Sequence, residues 1–311
     1  MDRARFLSAT GATAAVALAP QLARADTPLT VMTLPIDQGA QAFYAQDLGY
    51  FKGAGLDTTV SITNFGTQVA SAVAGGSIQV GQSNVISLAA AHERGLPFAM
   101  IAAAGMYTTL KPTSMMLVEK NSPLKTAKDL SGKTVAVNGL KSITQISVQA
   151  WADQNGGDSQ AIKFVEMPFV EMEPALASGR IDMALLADPD ATTALAAGRT
   201  RPFGKAFDAI GKQFMIGGWF AKTDWISANA DTVHKFIAVM KQSAQWANKP
   251  ANTKQSAAIL EKYTKVTVGN ANRILYGERL DPAMIQPCID VAAKYGVLKA
   301  PFPATQIIAT V

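Results

Sequence analysis

Three stretches of this 311-residue chain recur in the same order about a hundred residues further on. Thr30-Val31-Met32-Thr33 returns as Thr134-Val135-Ala136-Val137, a shift of 104. Thr59–Phe65 has a weaker echo at the same shift in Lys163–Phe169. Ala72-Val73-Ala74-Gly75-Gly76-Ser77-Ile78-Gln79-Val80 returns as Ala175-Leu176-Ala177-Ser178-Gly179-Arg180-Ile181-Asp182-Met183, a shift of 103. One such match could be coincidence among common strand–helix patterns. Three in order at a nearly constant shift imply two similar lobes in one chain, each reading strand, helix, strand, helix, Gly-x-Ile-polar, strand.

Short apolar runs alternate with helical ones from Thr30 onward. Strands are expected at Thr30–Leu34, Thr58–Thr63, Ile78–Val80, Phe98–Ala102, Met115–Glu119, Thr134–Val137, Ile162–Glu166, Met183–Leu186 and Phe214–Phe220. Helices are expected at Gln41–Lys52, Thr67–Ala74, Val85–Arg94, Thr144–Gln154, Glu171–Ala177 and Ala191–Ala197. This alternation implies βαβ units and a mostly parallel sheet, an α/β class. The C-terminal third changes to helices alone, at Ala228–Asn248, Thr253–Tyr263, Asn270–Tyr276 and Pro282–Tyr295. Two lobes need two crossings, expected at Gly105–Pro112 and Gly211–Gln213. The expected organisation is a first lobe of residues 26–110 and 214–311, and a second of 111–213.

Arg3 and Arg5 precede an apolar stretch, Ala9–Leu18, and Ala23-Arg24-Ala25 puts small residues where a signal peptidase cuts. Residues 1–25 are therefore expected to be a secretory signal peptide, too short in its apolar part to anchor a membrane. The rest holds 25 basic and 22 acidic residues, scattered and without aromatic interleaving, so nucleic acid is not an expected partner. Cys288 is the only cysteine, which leaves no internal disulfide and no lipidated N-terminus. The expected product is a soluble periplasmic monomer.

Asp47-Leu48-Gly49-Tyr50-Phe51-Lys52-Gly53-Ala54-Gly55-Leu56-Asp57 resembles the x-LGYFKxxGLD signature of periplasmic solute-binding proteins of nitrate, sulfonate and taurine-type ABC importers. Binders of thiamine-pyrimidine precursors share it. Ala72–Val80 and Ala175–Leu186 resemble the family's two AL-xx-G-x-ID segments, and Lys128–Val137 its DLKGKTVAV segment. The similarity runs from about Thr30 to Trp246. It implies a two-lobed periplasmic-binding-protein fold of type II with a helical C-terminal tail. It also implies a small organic ligand, an inner-membrane permease as partner, and no cofactor.

Ligands of parallel sheets bind outside the carboxyl ends of the strands. That rule selects the loops Pro35–Gln41, Asn64–Thr67, Gly81–Asn84, Asn138–Thr144, Pro168–Phe169 and Asp188–Asp190. Each precedes a helix, whose N-terminus favours an anion. The candidate ligand-binding residues are Gln38, Gly39, Gln41, Asn64, Phe65, Ser83, Asn84, Asn138, Lys141, Ser142, Thr144 and Asp188 from the loops, with Tyr107 and Trp219 as aromatic walls beside Phe65 and Phe169. Asn64, Ser83, Asn138 and Ser142 also suit plain helix capping. Lys141 is the one lysine or arginine in these loops, and it suits either a solvated helix start or the charge of an anionic ligand. The similar family often has a Gly-Ser type loop where this chain has Leu140-Lys141-Ser142.

The expected ligand is a sulfonate or an aromatic or aliphatic carboxylate. The alternative is a thiamine-precursor pyrimidine, or a pyrimidine-synthase-like enzyme. The similar synthase needs histidine and a cysteine-rich iron site. This chain has His92, His234 and Cys288, none in a cleft loop and none paired at metal-ligand spacing. No catalytic residue and no metal ligand is expected.

Overall fold

The computed structural model describes residues 26–269 and 273–311; the expected signal peptide lies outside them. Strands β1 (Thr27–Thr33), β2 (Leu56–Ile62), β3 (Val80–Asn84) and β4 (Phe98–Ala103) alternate with helices α1 (Gln41–Asp47), α2 (Tyr50–Gly53), α3 (Gly66–Ala74) and α4 (Val85–Glu93). A strand β5 (Gly105–Thr108) leads to β6 (Ser114–Glu119), β7 (Thr134–Val137), β8 (Lys163–Glu166), β9 (Met183–Ala187) and β10 (Thr200–Gly204). Helices α5 (Ile143–Gln154), α6 (Phe169–Ala177) and α7 (Asp190–Ala196) lie between them. Strand β11 (Gln213–Met215) leads back to β12 (Gly217–Lys222), followed by α8 (Thr223–Ala228), α9 (Ala230–Ala247), α10 (Thr253–Thr264), β13 (Leu275–Tyr276) and α11 (Pro282–Lys294).

The two main sheets have one topology. Their orders are β2-β1-β3-β12-β4 and β8-β7-β9-β6-β10. In each, three strands pair in parallel and a fourth, arriving from the other lobe, is inserted antiparallel. The sheets are thus mixed, because each lobe must accept the strand that follows a crossing. The internal repeat survives down to register. Val31 faces Val60 and Val80 in the first sheet, and Val135 faces Phe164 and Met183 in the second.

The polar residue of the Gly-x-Ile-polar motif has a structural role in both copies. Gln79 Oε1 accepts the Thr30 N–H at 2.8 Å, and Asp182 Oδ2 accepts the Thr134 N–H at 2.8 Å. Each side chain thereby locks the start of β3 beside β1, or of β9 beside β7. Gly76 and Gly179, also equivalent, both take the left-handed conformation that ends the preceding helix (φ 76° and 71°).

Three expectations about local structure need correction. Gln41–Lys52 is two helices, because Gly49 adopts φ 72° between them. Phe214–Phe220 is two strands, split where Ile216 N–H bonds Gly105 O and its carbonyl accepts Val85 N–H. The tail is not strand-free. Leu275–Tyr276, expected within a helix, is extended because the Asn248 side chain brackets the Tyr276 backbone, accepting its N–H and donating to its carbonyl, both at 2.9 Å. The other end of that expected helix, Asn270–Asn272, lies outside the described residues.

The crossings pair with each other. Gln213, Phe214 and Met215 of β11 lie opposite Thr108, Tyr107 and Met106 of β5, and β13 adds a third strand. The tail packs back on the first sheet. Helix α9 buries Val233, Phe236, Val239 and Met240, a helical stripe in one core cluster with Trp219 and Val31. Among the described residues no helix is long and apolar enough to cross a membrane.

Two expected site residues belong to this core. Trp219 and Gln41 are both 0% exposed. The indole N–H donates to Gln41 Oε1 at 2.9 Å, and Gln41 Nε2 donates to Met240 O at 3.3 Å. The glutamine thus satisfies a buried donor and is satisfied in turn, so neither is left for a ligand. Trp219→Ala should destabilise the protein by about 3–5 kcal/mol, read from urea midpoints, while ligand affinity measured below the new transition stays within twofold.

Candidate functional site

The carboxyl ends of β1, β2 and β3 face those of β7, β8 and β9 across a cavity of about 220 Å³. From the first lobe it is lined by Leu34, Ile36 and Gln38 after β1, by Gly66 and Thr67 at the start of α3, and by Gln82, Ser83 and Asn84 on β3. From the second lobe come Asn138 to Thr144 after β7, then Glu166, Phe169 and Ala187. A side chamber of about 110 Å³ shares Leu34, Ile36 and Phe169 and adds Asn64, Asp190 and Thr264.

The lobes touch around this cavity. Asn138 Nδ2 donates to Asn64 O at 3.1 Å and Asp37 N–H to Asp188 O at 2.9 Å. Thr193 Oγ1 donates to Thr267 O at 3.0 Å, and Tyr295 OH to Asp153 Oδ2 at 2.9 Å. These contacts bridge the cleft between the lobes.

Of the expected site residues, the cavity brings together Gln38, Ser83, Asn84, Asn138, Lys141, Ser142 and Thr144. Asn64 opens on the side chamber. Several of these polar groups are already engaged. Asn84 caps α4, its Oδ1 accepting the Ser87 N–H at 3.0 Å and its Nδ2 donating to Ser87 Oγ. Ser142 Oγ donates to Gly139 O at 2.7 Å and pairs with Thr144 Oγ1 at 3.0 Å. Consequently no side chain caps the first turn of α5, nor that of α3. Lys141 stands exposed at the α5 end of the cavity with φ 54°, and its N–H donates to Gln145 Oε1. Glu166 also lines the cavity, but its Oε2 accepts the Leu140 N–H at 3.0 Å.

Gly39, Phe65, Tyr107 and Asp188 do not line the cavity. Gly39 is buried in a 3₁₀ turn and its carbonyl accepts from Thr33 Oγ1. Phe65 sits half-buried at the N-cap of α3. Tyr107 is 1% exposed, packed between Phe207 and Phe214 in the crossing ribbon, with its OH donating to Asp208 at 2.7 Å. Burial, and then the Asp208 carboxylate, push its phenol above the ordinary range. Asp188 is 3% exposed and spends Oδ1 on the Thr192 N–H and hydroxyl at the start of α7. Of the residues the sequence did not single out, Gln82, Ser87, Arg94, Ser114 and Glu166 line the cavity. Gln82 sits in the selected Gly81–Asn84 loop and was passed over for its neighbours. Among the described residues no three His, Cys, Asp or Glu side chains gather as a metal site.

A hub behind the cavity fixes the first of its loops. Asp37 Oδ1 receives Arg273 Nη2 at 2.5 Å and Tyr276 OH at 3.0 Å, and Oδ2 receives the Ile274 N–H at 2.8 Å. Tyr44 OH, also bonded to Arg273, lies 3.5 Å from Asp37 Oδ1.

The description "NMT1/THI5 like" belongs to the family model that matches residues 38–253. A search of curated proteins returns no match. Solved structures do match over nearly the whole chain. The alkanesulfonate-binding protein SsuA from Xanthomonas axonopodis pv. citri, solved bound to MOPS, superposes with TM-score 0.75 at 16% identity, covering 93% of this chain and 100% of that one. The periplasmic aliphatic sulphonate binding protein SsuA from Escherichia coli gives 0.71 at 18%, covering 91% and 92%. The periplasmic nitrate-binding protein NrtA from Synechocystis PCC 6803 gives 0.77 at 14%, covering 90% and 84%. Likeness at these identities establishes the two-lobed periplasmic-binding-protein fold.

Burial pushes the Asp188 carboxyl up to about 7, against the hydrogen bonds from Thr192, and nearby Asp37 adds to the rise. Burial likewise raises Asp190 to about 6. A carboxyl whose folded pKa is raised holds its proton longer folded than unfolded, so stability falls as pH climbs from about 4 to about 7. From Asp188 alone the loss between pH 5 and pH 8 should be about 2–3 kcal/mol. Asp188→Asn keeps the Oδ1 acceptor and should remove most of that slope. Urea midpoints at pH 5, 6, 7 and 8 test this, and equal slopes in both proteins would sink it.

Proposed function

The chain belongs to the NMT1/THI5-like family, and from that premise we propose that it is an extracytoplasmic solute-binding protein that captures a small organic anion for an ABC importer. The anion is a sulfonate or an aromatic or aliphatic carboxylate. The observation that carries this reading is the open first turn of α5 beside Lys141, on the wall of a cavity between two lobes. The unpaired N–H groups of a helix N-terminus and the positive end of its dipole favour negative charge. The uncapped start of α3 meets the same cavity from the other lobe.

Charge agrees with this assignment. Lys141 and Arg94 line the cavity against one carboxylate, Glu166, which is committed to the Leu140 N–H. The backbone at Lys141 points the same way. A non-glycine residue at φ 54° is held at a cost, and such strain clusters at functional sites. Size is also suitable. Benzene fits a cavity of roughly 150 Å³, so 220 Å³ accommodates a ring carrying small substituents.

The remaining roles follow from this reading. Residues 1–25 direct export and are removed. Residues 26–110 with 214–311, and 111–213, form the two halves of the clamp. The β5–β11 ribbon is the hinge about which they close, and the closed monomer presents its ligand to the permease.

A single charge-assisted hydrogen bond contributes about 1.5–3 kcal/mol. Lys141→Gly should therefore weaken binding of an arenesulfonate or benzoate by about ten- to a hundredfold. Glycine takes the left-handed backbone without strain, so the melting temperature of the ligand-free variant should not fall. Calorimetric titration against a sulfonate and carboxylate series, run beside thermal melts, measures both. Anion affinity unchanged in the variant would remove Lys141 from the site.

A further inference from the structure

Gln82 lines the cavity yet is only 2% exposed. Among the described residues no group hydrogen-bonds its side chain, and its Nε2 is sealed from solvent without a partner. Other polar side chains on the wall are already engaged. Asn84 is spent on Ser87, Ser142 on Gly139, and Asn138 on Asn64. A buried amide left unpaired is costly, and native proteins seldom keep one without use. Nor does Gln82 fill a packing need that only glutamine meets. Trp219, opposite it in register, already has Gln41 as partner.

We propose that the Gln82 amide is the neutral recognition group of the cleft, so that the bound anion carries a donor–acceptor group in addition to its charge. This rests on the anion reading above and adds the chemistry of a second contact. Lys141 is exposed, whereas Gln82 is buried. The same lining includes the apolar Leu34, Ile36 and Phe169. A ligand filling the cavity therefore meets a positive charge, an apolar wall, and an amide with a donor and an acceptor. A carboxamide, a lactam or an aminopyrimidine edge complements that amide, because each returns an acceptor and a donor side by side. A plain alkyl or aryl tail leaves the amide unpaired in the closed cleft. A site built to hydrogen-bond a group discriminates strongly against the analogue that lacks it.

The test uses shape-matched probes. These are 4-carbamoylbenzoate and 4-carbamoylbenzenesulfonate, their 4-isopropyl counterparts, and neutral 4-methylbenzamide. Each is titrated calorimetrically into wild type, Gln82→Met and Lys141→Gly. In wild type the carbamoyl anions should bind at least tenfold tighter than the isopropyl ones. In Gln82→Met the ratio should fall to about one, while Lys141→Gly weakens both classes equally. Ligand-free Gln82→Met should melt no lower than wild type, because the lost amide has no partner in the protein. A lower melting temperature would reveal a structural partner and overturn the assignment. A ratio near one in wild type, or a ratio that survives in Gln82→Met, would also overturn it. The anion reading would then still stand if Lys141→Gly weakened every anion. Tight binding of 4-methylbenzamide over both anions, lost in Gln82→Met, would keep Gln82 and overturn the anion reading. No binding of any probe to wild type would overturn both.

Discussion

A charge taken out of water must be met by partners inside the protein, and Asp37 is where this fold meets that demand. Its carboxylate is 2% exposed on its side chain and collects Arg273, the Ile274 N–H and the Tyr276 hydroxyl. All three belong to the C-terminal tail, more than two hundred residues away in sequence. The same residue's N–H reaches the carbonyl of Asp188 in the second lobe. One aspartate therefore fastens the tail to the first lobe, fixes the loop carrying Gln38, and meets the other lobe. Replacing one member of such a pair strands the other charge in a buried place. The tail's return is thus a condition for the cleft, not an appendage to it.

The fold was largely legible because its information is repeated. The 103–104-residue shift reappears as matched register, matched side-chain bonds from Gln79 and Asp182, and matched left-handed glycines. Strands with local signals were placed to within a few residues. The elements that sequence missed lack such signals. β10 contains Pro202 and sits at a sheet edge, the one place where a strand tolerates proline. β13 has two residues and is extended only because Asn248 holds it.

The cleft was half legible, for a related reason. Position after a strand end puts a residue near the cavity, but it does not say where the side chain's hydrogen bonds go. Gln41 and Asp188 sit in the right loops and are consumed, one by Trp219 and Met240, the other by α7. Trp219 and Tyr107 read as aromatic walls, yet both are enclosed by the core and the crossing ribbon. Arg273 carried no local signal, since its role depends on contact with a residue 236 positions earlier.

Helix capping decides what remains for a ligand. Four helices, α3, α4, α5 and α6, begin at the cavity, and α6 follows Pro168, whose side chain has no acceptor. On α4, Asn84 returns its own side chain to the backbone and closes the terminus. On α5, Ser142 turns its hydroxyl away to Gly139 and leaves the terminus open. α3 begins after Phe65, which has no acceptor to offer. A capping side chain adds about 1 kcal/mol of stability when present, so each open terminus is a stability contribution forgone. Lys141 in the left-handed region and the unpaired amide of Gln82 are further contributions forgone, and all of them line one cavity. Buried groups without a partner occur elsewhere too, at Thr58 Oγ1, Ser243 Oγ and the Nε and Nη1 of Arg273, but among them only Gln82 lines the cavity. The costs that do line the cavity are recovered when a ligand meets them together, and closure of two lobes on it does that in a single event.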